Sequence, residues 1–314
     1  MAGERVWEAE IELSEEQAKS LIEEQFPALR PVTLAFSAAG WDNWVFSLRD
    51  RWMFRFPRRH LAVRLMEREI RVLPLLAPHV PVPVPNPVWV GRPVDRYPYP
   101  FAGYVRLPGR PVQEVDVPDR ERQSWGEDLG RFLAALHRLK PSDVGLDPAE
   151  DRARGLDLGA LAALAEKRLS RARALGLWRG GDPAGLIGWA RDQGASWVLS
   201  QADRVSQVIH GDLNFRNVLI APDGTIASVV DWGDVRVGHP SVDLSMVYAL
   251  LPLEAERAFE AAYGQVPDLW RWVGRFVAVF ISLAILVSAQ DLGVPREIRE
   301  AQLCLERLAV GPRP

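Results

Sequence analysis

Three polar residues in the second half of the chain have the types and the spacing that phosphoryl transfer needs. Asp212 and Asn217 are five positions apart in the segment His-Gly-Asp-Leu-Asn-Phe-Arg-Asn, and Asp231 follows a short apolar run. Transfer of a phosphoryl group to a hydroxyl uses a carboxylate to orient and deprotonate the attacking oxygen, and oxygen ligands that hold Mg²⁺ on nucleotide phosphates. Asp212, Asn217 and Asp231 supply that set.

Each of these residues taken alone has a simpler explanation. Loop Asp and Asn residues usually cap a turn or accept hydrogen bonds from loop amides. Their joint spacing, with a predicted hairpin between Asn217 and Asp231, favours the chemical interpretation. His210 is different, because an inward-facing histidine that holds the loop backbone is favoured over a general acid.

The loop resembles that of the aminoglycoside phosphotransferase family, in which His-Gly-Asp is followed by four residues and Asn. By this resemblance Asp212 is the catalytic base, and Asn217 and Asp231 are magnesium ligands. Asp231 matches the Asp that opens the Asp-Phe-Gly motif of protein kinases, and Trp232 replaces its Phe. The segment that ends in Asp243-Leu244 is similar to the family's Gly-x-x-x-x-Asp-Leu segment, so Asp243 is expected to brace the catalytic loop.

The first third of the chain is rich in β-type patterns. A capping box at Ser14 predicts an N-terminal helix, and the runs after it predict a five-stranded antiparallel sheet with one further helix. The predicted strands are Val32–Phe36, Trp44–Leu48, Trp52–Phe56, Val88–Val90 and Phe101–Arg106, and the helix is His60–Leu76. We expect residues 1–106 to form an N-terminal nucleotide-binding lobe.

Arg55 lies in one of these strands, where a period of two places Met53 and Arg55 on the same face. A kinase needs a cation here that pairs with the α- and β-phosphates and with a Glu of the next helix. Arg55 takes the place of the usual lysine, with Glu69 as the expected partner and Glu67 as the alternative. A solvated arginine at a strand edge is the simpler interpretation.

Two other segments complete the expected nucleotide site. The turn Gly40-Trp41-Asp42-Asn43 resembles turns of the same family, including its macrolide-kinase relatives, and it places Gly40 and Asn43 near the phosphates. An ordinary hairpin turn fits the same residues equally well. Tyr104 and Val105 lie where the hinge of a kinase passes the purine, and this assignment rests on position alone.

The rest of the chain, residues 107–314, is predicted to be mainly helical with a small β patch around the loop. The resemblance implies an α+β, two-lobed fold like that of protein kinases, with the nucleotide between the lobes. Within the second lobe, Phe276–Val287 is the most apolar stretch, and it is shorter than the ~20 residues that span a bilayer. A buried helix is predicted there, and no membrane partner.

Composition narrows the possible partners. The 314 residues carry a net charge of −3, whereas a nucleic-acid-binding domain normally has a strong basic excess. Cys304 is the only cysteine, which excludes an intrachain disulfide and fits a cytoplasmic protein. The expected partners are therefore a nucleotide and a small molecule with a hydroxyl group.

Several functions remain open from the residues alone. We expect a magnesium-dependent kinase that uses ATP or GTP and phosphorylates an aminoglycoside-type antibiotic or a related compound. By the same resemblance, homoserine, choline or sugar kinases share the core, and a nucleotide-binding regulator without turnover would explain the departures at Arg55 and in the glycine-poor turn. A metal-dependent hydrolase that uses His210, Asp212, Asp231 and His239 is disfavoured, because the His-Gly-Asp pattern gives no usual pair of zinc ligands. Asp234, Glu254 and Glu256 would suit a polycationic acceptor, or they are surface residues.

Overall fold

A computed structural model describes residues 9–40, 42–151, 156–201 and 207–310. Trp41, which the sequence places in the turn with Gly40 and Asn43, lies outside the described residues. The chain divides into two compact units. The first runs to Pro78 and adds Pro83–Leu107 and Trp232–Asp234, and the second comprises His79–Val82, Pro108–Asp231 and the chain from Val235 onward.

The first unit contains a five-stranded antiparallel sheet with the order β1-β2-β3-β5-β4. Its strands are β1 (Leu34–Ala39), β2 (Asn43–Leu48), β3 (Trp52–Pro57), β4 (Pro87–Gly91) and β5 (Phe101–Val105). The described part of this unit contains two α-helices, α1 (Glu15–Gln25) and α2 (His60–Leu76). The predicted sheet and helices are confirmed, including the capping box at Ser14. The first strand starts later than predicted, because the Val32 amide donates to Glu23 Oε1 at 2.9 Å instead of to a strand.

The two faces of this sheet differ in chemistry. One face is an aromatic core in which Phe54 and Phe56 of β3 are fully buried with residues of α1 such as Ile22. The other face carries Met53 and Arg55, which are only half-buried, and α2 reaches it through Glu69. The period of two in β3 therefore separates an apolar face from a cationic one.

The second unit is mainly helical. Helix α10 packs against α6, α7, α8 and α11 and forms the centre of the helical core. The helices are α3 (Asp119–Arg122), α4 (Trp125–His137), α5 (Pro148–Asp151), α6 (Leu158–Ala174), α7 (Ala184–Gln201), α8 (Ser241–Leu250), α9 (Glu256–Tyr263), α10 (Asp268–Leu292) and α11 (Pro295–Val310).

Two small antiparallel sheets lie within this helical unit. One joins β6 (Arg110–Pro111), β8 (Val218–Ile220) and β9 (Ile226–Val229), and the other joins β7 (Gln207–Ile209) to β10 (Arg236–Gly238). The loop from β7 to β8 contains Asp212, and the connection from β9 to β10 contains Asp231. The short strands therefore fix both ends of each segment that carries candidate chemistry.

Helix α10 differs in length from the prediction. The helix has 25 residues and is, by length and composition, the one helix among the described residues able to cross a membrane. The expected stretch was too short, because the helix continues beyond Phe276–Val287 in both directions. Within the unit 72% of its most apolar window is buried, so the predicted buried helix is confirmed.

Candidate active site

The β7–β8 loop, residues 210–217, is folded around the side chain of Asn214. Its Nδ2 donates to the carbonyl oxygen of Asp212 at 3.0 Å, and its Oδ1 accepts from the Arg216 amide at 3.0 Å. The Asn214 carbonyl accepts from the Asn217 amide at 3.0 Å. Gly211 has a φ of 88°, a left-handed conformation that glycine adopts without strain. These hydrogen bonds and the conformation of Gly211 therefore constrain the loop backbone on both sides of Asp212.

Asn217 closes the loop from its far end. Its side chain is buried, and Nδ2 donates to the carbonyl oxygen of Asp212 at 2.8 Å. The Asn217 carbonyl accepts from the Val230 amide at 2.9 Å, so the residue before Asp231 is tied to the same loop. Since Nδ2 is used in holding Asp212, Oδ1 is the Asn217 atom that could face a cation.

Asp231 has an unusual backbone conformation. Its φ is 65°, which L-residues seldom adopt, although Asp tolerates it better than most. Such conformations cost about 1–3 kcal/mol and cluster at functional sites. The residue is exposed, so its carboxylate is accessible to a ligand.

Asn217 and Asp231 are the residues of the second unit that could hold Mg²⁺. The ion takes oxygen ligands, and in nucleotide sites it commonly uses one or two protein groups together with phosphate oxygens and water. An amide oxygen on a buried side chain and an exposed carboxylate, joined through the Val230–Asn217 hydrogen bond, fit that requirement.

A buried carboxylate, Asp243, holds the start of the loop. Its Oδ2 accepts from the His210 amide at 2.7 Å and its Oδ1 from the Gly211 amide at 2.9 Å. His137 Nε2 lies 3.2 Å from Oδ2, and His137 Nδ1 lies 2.8 Å from the Tyr263 hydroxyl. Asp243 thus links the loop to α4, α8 and α9.

This network sets the ionisation of its members. Burial alone would raise the pKa of the Asp243 carboxyl, but the hydrogen bond and charge of His137 and the hydrogen bond from the Gly211 amide outweigh it and lower the pKa. Burial, with a smaller contribution from the charge of Asp243, raises the pKa of the Tyr263 hydroxyl. The network therefore contains a carboxylate and a neutral tyrosine at neutral pH.

His210 is fully buried and holds backbone, in agreement with the interpretation favoured from the sequence. Its Nε2 lies 3.0 Å from the Val230 carbonyl, to which it donates in the neutral tautomer, and Nδ1 then accepts from the Asp212 amide at 3.4 Å. Arg236 of β10 donates from Nη1 to the Gly211 carbonyl at 3.1 Å. The ring nitrogens of His210 thus connect the loop to the β9–β10 segment that contains Asp231.

In the first unit the structure pairs Arg55 with Glu69. Arg55 Nη1 donates to Glu69 Oε1 at 2.8 Å and to Oε2 at 2.9 Å. Glu69 is 1% exposed, whereas the alternative partner Glu67 is exposed. A charged hydrogen bond between shielded groups is stronger than one at the surface, so the pair fixes the Arg55 guanidinium over its sheet face.

The other expected nucleotide residues of the first unit occupy two places. Met53 and Tyr104 are register partners in β3 and β5, and the buried Tyr104 hydroxyl lies 3.5 Å from Met66 Sδ. Val105 ends β5 and is 46% exposed. Met53 and Tyr104 continue the sheet face that carries Arg55. Val105 is the register partner of Trp52 and lies on the opposite face, at the end of β5.

Gly40 and Asn43 close the β1–β2 turn. The Gly40 amide donates to the Asn43 carbonyl at 2.9 Å, and Asn43 Oδ1 is buried without a hydrogen-bond donor among the described residues. Two arginines that the sequence did not assign hold this turn. Arg58 donates to the Gly40 carbonyl at 2.9 Å and stacks on Trp44 at 4.2 Å, and Arg59 pairs with the Asp42 carboxylate.

Two of the acidic residues considered for a polycationic acceptor, Glu254 and Glu256, have different surroundings. Glu254 is exposed, and Glu256 Oε1 lies 3.3 Å from Arg275 Nη1. Burial raises the pKa of Glu256, and Arg275 acts in the opposite direction. The charge of Glu256 is therefore neutralised within the helical core.

Comparison with known proteins identifies the family. The model of the phosphotransferase enzyme family matches residues 33–276. The chain belongs to this phosphotransferase family. The match includes parts of both units and every candidate site residue described above, and it makes the chain an enzyme that transfers a phosphoryl group. No curated protein matches the chain.

Solved structures show the same kinase-like fold for this phosphotransferase. The GDP and kanamycin complex of APH(2")-IIia has 21% identity and a TM-score of 0.65, covering 93% of this chain and 98% of that one. The apoenzyme of macrolide 2'-phosphotransferase MphH from Brachybacterium faecium has 23% identity and a TM-score of 0.55, covering 92% of this chain and 97% of that one. The two-lobed α+β fold predicted from the sequence is confirmed.

Replacing the buried carboxylate of Asp243 tests whether this side chain stabilises the β7–β8 loop. Asp243→Asn places an amide NH₂ among the donors of His210, Gly211 and His137, so we expect the free energy of unfolding at pH 7 to fall by about 3 kcal/mol or more. Urea unfolding measures the change. Asp192→Asn, on the exposed side of α7, is the control and should alter stability by less than about 0.5 kcal/mol.

The difference in the free energy of unfolding between wild type and Asp243→Asn should depend on pH. Because the folded-state pKa of Asp243 is lowered, its stabilisation is present above the unfolded pKa and is lost as pH falls through the folded pKa. The stability gap between wild type and Asp243→Asn should therefore narrow in acid. A gap that stays constant or widens as pH falls would contradict this role.

Proposed function

We propose that this phosphotransferase moves the γ-phosphoryl group of ATP or GTP onto a hydroxyl group of a small molecule, an aminoglycoside-type antibiotic or a related compound. The observation that carries the proposal is the backbone of Asp212. Its carbonyl accepts from both Asn214 and Asn217, while Asp243 holds the two preceding amides. A carboxylate on such a fixed loop suits a base that must meet a hydroxyl in one geometry.

In the proposed reaction Asp212 accepts the proton of the acceptor hydroxyl as its oxygen attacks the γ-phosphorus. A new P–O bond forms, the bond to the β-phosphate oxygen breaks, and the nucleoside diphosphate leaves. Mg²⁺, when bound by Asn217 and Asp231, supplies positive charge to the phosphate oxygens. The loop itself contributes by holding Asp212 and Asn217 in fixed relation.

The first unit contributes nucleotide binding in this proposal. Arg55, oriented by Glu69, binds the α- and β-phosphates and can do so with two parallel hydrogen bonds, because its guanidinium is a planar fork. Gly40 and Asn43 contact the phosphates, and the buried Oδ1 of Asn43, which has no hydrogen-bond donor in the part of the chain that the structure describes, supports a ligand at that turn. Met53, Tyr104 and Val105 border the base.

The solved relatives support the choice of substrates. APH(2")-IIia was solved with GDP and kanamycin, and APH(2'')-Ib was solved with ADP. Nucleoside diphosphates of both kinds occur in these relatives, so we include both ATP and GTP as donors. MphH is a macrolide phosphotransferase, which brings apolar antibiotics into the acceptor panel beside polycationic ones.

The direct test is a transfer assay. Purified enzyme, Mg²⁺ and ATP or GTP are incubated with aminoglycosides, macrolides, homoserine, choline and sugars, and mass spectrometry detects the addition of one phosphate. We expect one antibiotic class to be phosphorylated, and the same compound lacking the modified hydroxyl, the matched control, to remain unchanged. Product on a metabolite alone would replace the antibiotic assignment, and nucleotide binding without any product would favour a regulator.

The proposed metal ligand has its own test. Asp231→Asn removes the carboxylate charge at the exposed position, so we expect the Kd of the Mg²⁺–nucleotide complex to rise by about tenfold or more, with little change for the nucleotide in EDTA. Isothermal titration calorimetry measures both. Asp223→Asn in the exposed β8–β9 turn is the matched control. Equal Mg²⁺–nucleotide affinity in wild type and Asp231→Asn would remove Asp231 from the metal site.

A further inference from the structure

An ion pair connects the β7–β8 loop to the last helix of the protein. Arg216 Nη2 lies 2.8 Å from Glu297 Oε2, and the two side chains are 27% and 16% exposed. Arg216 directly precedes the proposed metal ligand Asn217, and Glu297 lies in the first turn of α11. Partial shielding from water makes this contact stronger than a fully exposed pair.

The loop end of the pair is connected to both proposed catalytic groups. The Arg216 amide donates to Asn214 Oδ1 at 3.0 Å, and Asn214 Nδ2 donates to the Asp212 carbonyl. On the other side, Asn217 Nδ2 donates to the same carbonyl at 2.8 Å. A displacement of Arg216 is therefore transmitted to Asp212 and Asn217 together.

The helix end of the pair is anchored in the core. Glu300, one turn beyond Glu297, accepts from the buried Arg122 at 2.5 and 3.0 Å. Arg307 donates to Asp119 at 2.6 Å and to the Ala249 carbonyl at 3.1 Å. Helix α11 is therefore a fixed support, and Glu297 presents a carboxylate to the loop from it.

The geometry of the pair requires charge on both partners. Arg216 Nε and Nη2 are buried, and neither has an acceptor in hydrogen-bond alignment among the described residues. The contact with Glu297 is thus a close charge–charge contact, which depends on distance more than on direction. Glutamine at either position removes the attraction between full charges, whereas exchanging the two charges can preserve it.

We propose that Glu297, acting through Arg216, is a positioning residue that holds Asp212 and Asn217 in their reactive arrangement. The inference rests on the proposed function for its kinetic consequence. Loss of the pair lowers kcat, because a displacement of about 1 Å in a reacting group costs about a hundredfold in rate. Nucleotide affinity contributed by Arg55 and its neighbours in the first unit is unaffected.

The kinetic test uses two single variants, Glu297→Gln and Arg216→Gln. It also uses a double variant in which the charges are exchanged, Arg216→Glu together with Glu297→Arg. We expect each single variant to lower kcat by about 10- to 100-fold, with the Kd of the nucleotide in EDTA within about twofold, and the double variant with exchanged charges to recover about tenfold of that loss. Glu306→Gln is the matched control, because Glu306 is an exposed glutamate of the same helix. Wild-type kcat in both single variants, or no recovery in the exchange, would overturn the proposal.

Hydrogen exchange gives a readout that does not depend on activity. The amide hydrogens of residues 211–217 should exchange with solvent about tenfold faster or more in Glu297→Gln than in Glu306→Gln. The double variant with swapped charges should restore their protection. Unchanged protection in Glu297→Gln would overturn the positioning role. If wild type phosphorylates no acceptor, the proposed function fails, and this measurement still decides whether the pair positions the loop.

Discussion

The side chain of Asp243 is the interaction on which the candidate site most depends. It is fully buried and accepts two backbone hydrogen bonds at the point where the chain leaves β7. A buried carboxylate is costly unless donors surround it, so the positions of His137, His210 and Gly211 are constrained together. Because α8 supplies the carboxylate, α4 the histidine and α9 the tyrosine behind it, the helical core determines where the loop begins.

A buried acid supports a candidate group in each unit. In the second unit Asp243 holds the loop of Asp212, and in the first unit Glu69 holds the guanidinium of Arg55. In both cases the acid lies on a helix and its partner lies on or just after a strand. Rigid elements therefore carry the supporting groups, while the groups proposed to meet substrates occupy loop and sheet-face positions. This division allows the exposed Asp231 to adopt a strained conformation without loss of the surrounding structure.

Local patterns predicted part of this arrangement. The alternation in β3 predicts which face of the sheet carries Arg55. The spacing of Asp212 and Asn217 predicts that both lie in one loop. Sequence reasoning missed those partners of these groups that are far away along the chain. His137 is 106 positions from Asp243, and in the sequence it is one histidine near the end of an apolar helix face. Glu297 likewise looks like one of many charges in a surface helix.

Other differences arise from competition for backbone groups. Val32 has the composition of a strand residue, but its amide is taken by Glu23. The turn at Gly40 looks glycine-poor by sequence, and the structure shows Arg58 and Arg59 holding it instead. A pair of adjacent arginines has no pattern that reveals such a contact, because both side chains reach back across a hairpin.

The most direct measurement is single-turnover transfer from saturating nucleotide in wild type and in Asp212→Asn, with nucleotide affinity measured on the same preparations. The replacement keeps the size of the side chain and removes its ability to accept a proton as a carboxylate. A general base contributes about 10²- to 10⁴-fold, so the account predicts a fall in rate of about a thousandfold with nucleotide Kd within about threefold. Transfer within about tenfold of the wild-type rate would contradict Asp212 as the base.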